Sequence, residues 1–523
     1  MADTDPTPET PMLFRSESLG GALGVYLPAS GLVRLNGLVR NVVLAWLISE
    51  GQFGLLVLAL LAINVLLPVA SLGLHEAVGR YVPLFETRGA LRAYLRRTTP
   101  LVLVVSVVSA GLLVSTAESV GGWLFNTLDR GSSAAAMVET AQMASLTRCV
   151  AAALFSLTWY FYVVSILRGL RMFRAVGLTE LCTGLLFTAS AVIVALCGMK
   201  TAKAVIISYA GSMLLMLVLV ALGLRNRLRA WPEQDGALEA GEPIVTRMLR
   251  FSVWAAFAAM MWHTLQSYPT WYLNKIHGET PTAIFGGIRL LTQVGFLAAT
   301  AIITVVTMSV TKSWEAEGQE VANRRYLLAF KATACMLLIV SVVTAVAARS
   351  LMRLLPASFA PGIEVIPLLL LFSMLCAELS FLGIQFTLIE KARLLFYPWA
   401  FGVAANVALA AAWVRPVTAQ QPLSMSEQLL PSAQAGVVAM TGALAVCLLL
   451  LLIRRRPIDR GTWILLAAGF ALCLPVWAML AVLVVVALLG PLVLFSRHER
   501  AEIRRRTGQL IERLRRRPGT TES

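Results

Sequence analysis

Apolar runs of about 20 residues, the length a helix needs to cross a hydrocarbon core, recur along nearly the whole chain. They fall near 22–48, 53–76, 99–121, 144–167, 177–198, 203–224, 250–273, 283–311, 328–348, 363–388, 396–414 and 433–453. A further stretch, 462–495, is a little short for two full spans and too long for one, and predicts two short helices turning near Pro475 to Met479. The pattern predicts an all-α polytopic membrane protein with about fourteen transmembrane helices. Composition points the same way. The 523 residues are 58% hydrophobic and 14% charged, with a mean hydropathy of +0.77, values no soluble globular class matches.

The net charge is +16. In a soluble chain this would suggest nucleic acid. Here the basic residues sit in short connections between spans, so no nucleic-acid partner is expected. With the N-terminus placed in the cytosol, the cytosolic segments carry 33 Lys and Arg and the outer segments 7. That asymmetry orients the molecule by the positive-inside rule. It also sets the parity of crossings. The tail after residue 496 holds nine arginines and belongs on the same side as Arg454, Arg455 and Arg456. The segments 82–97 and 497–517 are basic and partly amphipathic, which predicts attraction to anionic membrane lipids.

Two cytosolic connections share the pattern aromatic-Glu-x-x-Gly: Phe85 to Gly89 and Trp314 to Gly318. The spans that follow carry VVSVVSA (104–110) and IVSVVTA (339–345). An internal repeat with an even number of spans gives parallel copies related by a pseudo-two-fold along the membrane normal. The expected organisation is a disordered tail (1–18), an N-lobe of six spans (19–224), a polar linker (225–249), a C-lobe of six spans (250–453), two further helices (454–496) and a basic tail (497–523). Two lobes around a central cavity form an alternating-access architecture.

Four arginines lie inside otherwise apolar spans: Arg34, Arg40, Arg148 and Arg289. An arginine at mid-bilayer costs roughly 2.5–3.5 kcal/mol on insertion scales, and such residues usually face a hydrated cavity. Arg34 and Arg40 follow R-x-x-G-x-x-R around Gly37, and six residues turn a helix by a net angle of about 120°, so both can line a broad cavity. Asn36 adds polarity to the same span. Arg289 has Gln293 one turn further on, and Arg148 lies nearer the outer end of its span. A shift of 229 residues sets His263 opposite Arg34, with Gln266 beside it. This cationic set predicts an anionic ligand. Among acids, Glu378 lies mid-span and Glu180 nearer a span end, which makes them candidates for coupling to Na⁺ or H⁺. The seven cysteines all fall in apolar spans without metal-ligand spacing. No Walker A loop, HExxH or GxSxG occurs, and no cofactor is expected.

The stretches EGQFGLLVLAL (50–60), SLGLHEAVGRYVPLFETRGALRAYLRR (71–97), RGLRMFRAVGL (168–178) and the segment from Lys312 to Lys331 resemble the polysaccharide flippases of the multidrug/oligosaccharidyl-lipid/polysaccharide exporter superfamily. Fourteen helices, as two six-helix lobes plus two, are similar to its lipid II flippase branch. Arg34 and Arg40 match that branch's paired arginines of helix 1, and Arg289 its arginine of helix 8. Span 2 lacks an arginine that the branch uses. The resemblance implies a non-enzymatic flippase of the bacterial inner membrane, with both termini cytosolic. Its cargo would be an undecaprenyl-pyrophosphate-linked oligosaccharide for surface polysaccharide. Partners would be a polysaccharide polymerase and glycosyltransferases. A drug or cation exporter of the same superfamily, which predicts an acidic cavity, and a polysaccharide polymerase or ligase are the competing readings.

Overall fold

The computed structural model describes residues 19–87, 90–125, 134–170, 172–229, 244–389, 391, 393–415, 424–456, 458–495 and 499–500. The expected N-terminal tail, the middle of the linker and most of the basic C-terminal tail lie outside the described residues. Among those described, the regular structure is helical. The N-lobe contains α1 (Leu19–Leu47), α2 (Glu50–Ala70), α3 (Leu74–Thr87), α4 (Leu91–Ser115), α5 (Ala117–Phe125), α6 (Ala134–Gly169), α7 (Phe173–Leu196) and α8 (Ala202–Arg229). The C-lobe contains α9 (Ile244–His277), α10 (Glu279–Thr292), α11 (Val294–Ala316), α12 (Gln319–Val346), α13 (Ala348–Met352), α14 (Ile366–Leu388), α15 (Arg393–Trp413) and α16 (Met425–Ile453). Last come α17 (Arg460–Gly469) and α18 (Val476–Val493), which turn at Pro475 as the sequence predicts.

Each apolar run forms a helix because a bilayer offers the backbone no other hydrogen-bond partner. Leu112, Ile193, Leu219, Val343 and Leu449 are exposed on the outside of the bundle, where lipid would meet them. The chain is therefore a multi-pass membrane protein.

Three runs depart from a single straight helix. The expected span 53–76 ends at Ala70, and the chain breaks at Leu72 and Gly73, both with positive φ (46° and 62°), before α3 begins. Gly73 packs so closely on the carbonyl of Ser252 in α9 that a side chain there would collide with it. The eighth span is bent by 52° between α10 and α11, at Gln293. The expected span 99–121 divides into α4 and the short α5. The polar linker is shorter than its composition suggests, because α8 runs on to Arg229 and α9 starts at Ile244.

The halves share an element order: a long helix, a broken span, a straight span, a short helix and three more spans, with a 3₁₀ turn (Ala357–Val365) next to the short helix of the second half. Gly318, with φ of 92°, starts α12 after the second aromatic-Glu-x-x-Gly pattern. Phe85 of the first pattern stacks on Tyr94 at 4.6 Å between ring centres.

The lobes meet mainly through α2 and α3 against α9 and α10. Towards the outer ends, by the loop-charge orientation, a Cβ on Gly54 would stand 2.5 Å from the carbonyl oxygen of Glu279. Gly286 in turn receives the side chain of Val57. Also at these ends, Trp271 Nε1 donates to the Leu124 carbonyl (3.0 Å), Asn274 Nδ2 to that of Phe125 (3.1 Å) and Trp46 Nε1 to that of Leu354 (2.8 Å). Towards the inner ends, Tyr81 meets Phe251 edge-on and Tyr94 Oη donates to Met248 Sδ (3.4 Å). The final helix pair is fastened to the C-lobe by Lys331 of α12. Its fully buried ammonium pairs with Asp459 and with Glu499 (2.9 Å).

Candidate functional site

Along α9, contacts between the lobes cluster at 248–256 and again at 271–274, and the stretch between them is free to line a space. A cavity of about 280 Å³ lies there. The N-lobe contributes Arg40 and Asn41 of α1, one side of α2 from Phe53 to Asn64, Phe187 of α7 and Tyr209 of α8. The C-lobe contributes His263, Gln266, Ser267 and Thr270 of α9, Gly286, Arg289 and Leu290 of α10, and Gln293 at the bend.

Two guanidinium groups face this space, one from each lobe. The Arg40 guanidinium carbon sits 4.1 Å above the Phe187 ring, and its buried Nε has no hydrogen-bond partner. Arg289 is only 6% exposed. Its Nη1 donates to Thr270 Oγ1 (3.1 Å), the Phe372 ring lies 5.5 Å away, and its Nε is also unpartnered. Among the described residues no carboxylate lines the cavity. Among the described residues neither arginine forms an ion pair. Cation–π contacts offset the loss of water by roughly 0.5–2 kcal/mol each, well short of the several kcal/mol that a buried charge costs. Each guanidinium thus keeps a buried Nε–H without a partner.

The backbone of α9 is shaped at this depth by Pro269. A proline cannot donate to the carbonyl four residues earlier, and the freed Leu265 carbonyl accepts from Asn406 Nδ2 of α15 (3.5 Å). The Pro269 carbonyl accepts from Ser432 of α16 (2.7 Å). These bonds hold Thr270, and through it Arg289, against the C-lobe. The bend at Gln293 turns α11 away and leaves Gln293 beside Arg289 on the cavity wall.

Of the residues expected from sequence, the structure brings Arg40, Arg289, His263, Gln266 and Gln293 to one cavity. It does not bring Arg34, Asn36 or Arg148. Arg34 lies about one and two-thirds turns from Arg40 on another side of α1, and its Nε donates to Ser30 Oγ (3.3 Å). The angle of about 120° between the two arginines would fit a broad cavity, and this one is narrow. Asn36 turns towards Gly184 of α7, its amide nitrogen buried and unpartnered. Arg148 is exposed on α6, away from the cavity. Glu180 pairs with Arg168 (2.6 Å) inside the N-lobe. Glu378 is 1% exposed in α14, and neither carboxylate oxygen has a partner.

Sequence reasoning missed Phe187, Tyr209, Asn64, Ser267 and Thr270. Asn64 carried a signal, as the lone amide in an apolar span. Phe187 and Tyr209 read as core aromatics, and their place at the cavity depends on how α7 and α8 pack.

No family model matches the chain, and no curated protein matches it. Solved structures do. MATE in complex with MaL6 superimposes with a TM-score of 0.63 at 14% identity, covering 86% of this chain and 100% of that one. A multidrug resistance MATE family transporter of the MOP superfamily, in an outward-facing conformation, gives 0.61 at 15% identity over 86% and 100%. A MOP superfamily transporter from Pyrococcus furiosus, described as having a binding pocket of reverse polarity that suggests a different function, gives 0.61 at 15% identity over 85% and 98%. A chain that superimposes over some 85% of its length and nearly all of theirs shares their arrangement of helices, and this chain has the fold of the MATE transporters of the MOP superfamily.

Proposed function

We propose that this protein is an alternating-access flippase for a lipid-linked oligosaccharide with a diphosphate headgroup, working in the bacterial inner membrane with both termini in the cytosol. The observation that carries this reading is a pair of arginines, half-buried Arg40 and buried Arg289, one per lobe, facing a single cavity in which no carboxylate lies among the described residues. Planar guanidinium forks match phosphate oxygens in two-point hydrogen bonds. His263, Gln266 and Gln293 would add neutral donors around them.

A cavity of about 280 Å³ lies just below the range of about 300–1,000 Å³ for drug-sized ligands. It suits a diphosphate, and the sugars would require the lobes to part. A diphosphate touching both lobes would also favour the closed arrangement, and reorientation would then carry it across. Coupling to H⁺ or Na⁺ we assign to Glu378, since Glu180 is held by Arg168. Glu378→Gln should retain cargo binding and lose dependence on the ion gradient. The expected polymerase and glycosyltransferases would supply and consume the cargo.

The main test is transport of a fluorescent prenyl-diphosphate sugar in proteoliposomes. Wild-type protein should move it and Arg40→Ala/Arg289→Ala should not; equal rates would remove the assignment. Export of a drug is the second reading, supported by the likeness to a multidrug resistance transporter. The same vesicles decide between them. Movement of a cationic dye that is indifferent to Arg40 and Arg289, with no movement of the sugar lipid, would favour the exporter.

A further inference from the structure

A second concavity lies far from the central cavity, at the outer end of the C-lobe where α14, α15 and α16 meet. It is a groove of about 650 Å³. One wall is a stripe of α16: Glu427, Pro431, Gln434 and Val438, at intervals of three and four residues, which place them on one face. Trp413 and Arg415 at the end of α15 and Leu368 in the first turn of α14 add to the lining. From Glu427 to Val438 the stripe runs about 16 Å along the helix.

Polarity changes along that length. Arg415 and Glu427 are charged and lie at the outer helix ends, while the stripe of α16 passes inward through Gln434 to Val438, with Leu368 of α14 also in the lining. A tryptophan at the mouth is typical of the headgroup level of a bilayer. Pro431 adds an acceptor there, because it lacks the N–H that would bond the carbonyl of Glu427. Glu427 Oε2 already accepts from Ser424 N (2.7 Å), yet a carboxylate has further lone pairs for a donor from outside. Arg415, exposed, has no partner among the described residues.

We infer that this groove is a binding site for a zwitterionic phospholipid bearing a primary amine. The phosphate sits at Arg415, the ammonium at Glu427 and the freed carbonyl, and the start of an acyl chain lies along Val438 and Leu368. The inference is independent of the cargo proposed for the central cavity, since the two sites share no residue.

The test uses the full-length protein in nanodiscs doped with a photoactivatable phosphatidylethanolamine, its reactive group near the top of an acyl chain, followed by peptide mapping. Wild-type protein should label peptides from 424–453, and excess phosphatidylethanolamine should suppress labelling at least about threefold better than phosphatidylglycerol. Arg415→Ala and Glu427→Gln, both at exposed positions, should each cut labelling severalfold at unchanged melting temperature. Val438→Trp should fill the groove and do the same. Labelling unaffected by all three substitutions overturns the site. Equal competition by phosphatidylglycerol overturns the pairing of both charges with one headgroup.

Discussion

At the scale of single residues, the cationic cavity distinguishes arginines that the sequence presents as equals. A charge-assisted hydrogen bond contributes about 1.5–3 kcal/mol, so removing either cavity arginine should weaken diphosphate binding roughly ten- to hundredfold. Arg40→Ala and Arg289→Ala should each show this in a direct binding titration with a prenyl diphosphate. Arg34→Ala and Arg148→Ala should change affinity less than about twofold, since neither side chain lines the cavity. A loss at Arg148 equal to that at Arg289 would point to a general effect of surface charge. Why four intramembrane arginines divide in this way was only partly legible in the sequence. Cost singles all four out, but the side of the helix each occupies relative to the other lobe is a property of packing.

At the scale of elements, close crossings and tethers control how the lobes fit together. Gly54→Ala on α2 gains up to about 1 kcal/mol of helix propensity. Its new Cβ would nevertheless lie 2.5 Å from the backbone of Glu279, and overpacking of this kind costs about 1–3 kcal/mol. The net expectation is a lower midpoint in a thermal unfolding scan; a higher one would mean that α10 yields freely. The tether of α17 should respond to acid. Burial pushes the Asp459 carboxyl up, but the hydrogen bonds from Lys331 and Thr462, with the Lys331 charge, outweigh it and hold the carboxyl below its ordinary value. A depressed carboxyl contributes stability that is complete above its unfolded value, about 3.9, and lost as pH falls through the folded one. A spin label on the exposed Cys473 should therefore stay immobile at neutral pH and gain mobility below about pH 4. Asp459→Asn should loosen it already at neutral pH, because the buried ammonium of Lys331 keeps only Glu499.

At the scale of the whole molecule, the cavity lies between two zones where the lobes touch, so access requires one zone to open. Among the described residues the outer zone contains four hydrogen bonds between lobes, from Trp271, Asn274, Lys275 and Trp46 to main-chain carbonyls. Each contributes about 0.5–1.5 kcal/mol net, enough together to shift an equilibrium between inward- and outward-opening forms by tenfold or more. Trp271→Phe/Asn274→Ala should raise severalfold the rate at which an impermeant thiol reagent, added from the outer side, modifies a cysteine placed at Ser267. An unchanged rate would mean that these bonds do not hold the outer side shut.

The sequence by itself determined the medium and the helical, multi-pass build, and it pointed to the doubled design. Helix length in a bilayer follows from hydrocarbon thickness, a local quantity that a chain displays openly. It also marked the turn at Pro475, because a proline after a short apolar run leaves few alternatives. Tertiary structure decided which charges face one another. The break at Leu72 and Gly73, the bend at Gln293 and the proline-shaped backbone of α9 set the facing sides of the two lobes. They bring Arg40 and Arg289 to one space, leave Arg34 outside it, and place Phe187 and Thr270 where each steadies a guanidinium. Arg40 and Arg289 stand more than 200 positions apart across a lobe interface, and no periodicity along the chain encodes their meeting.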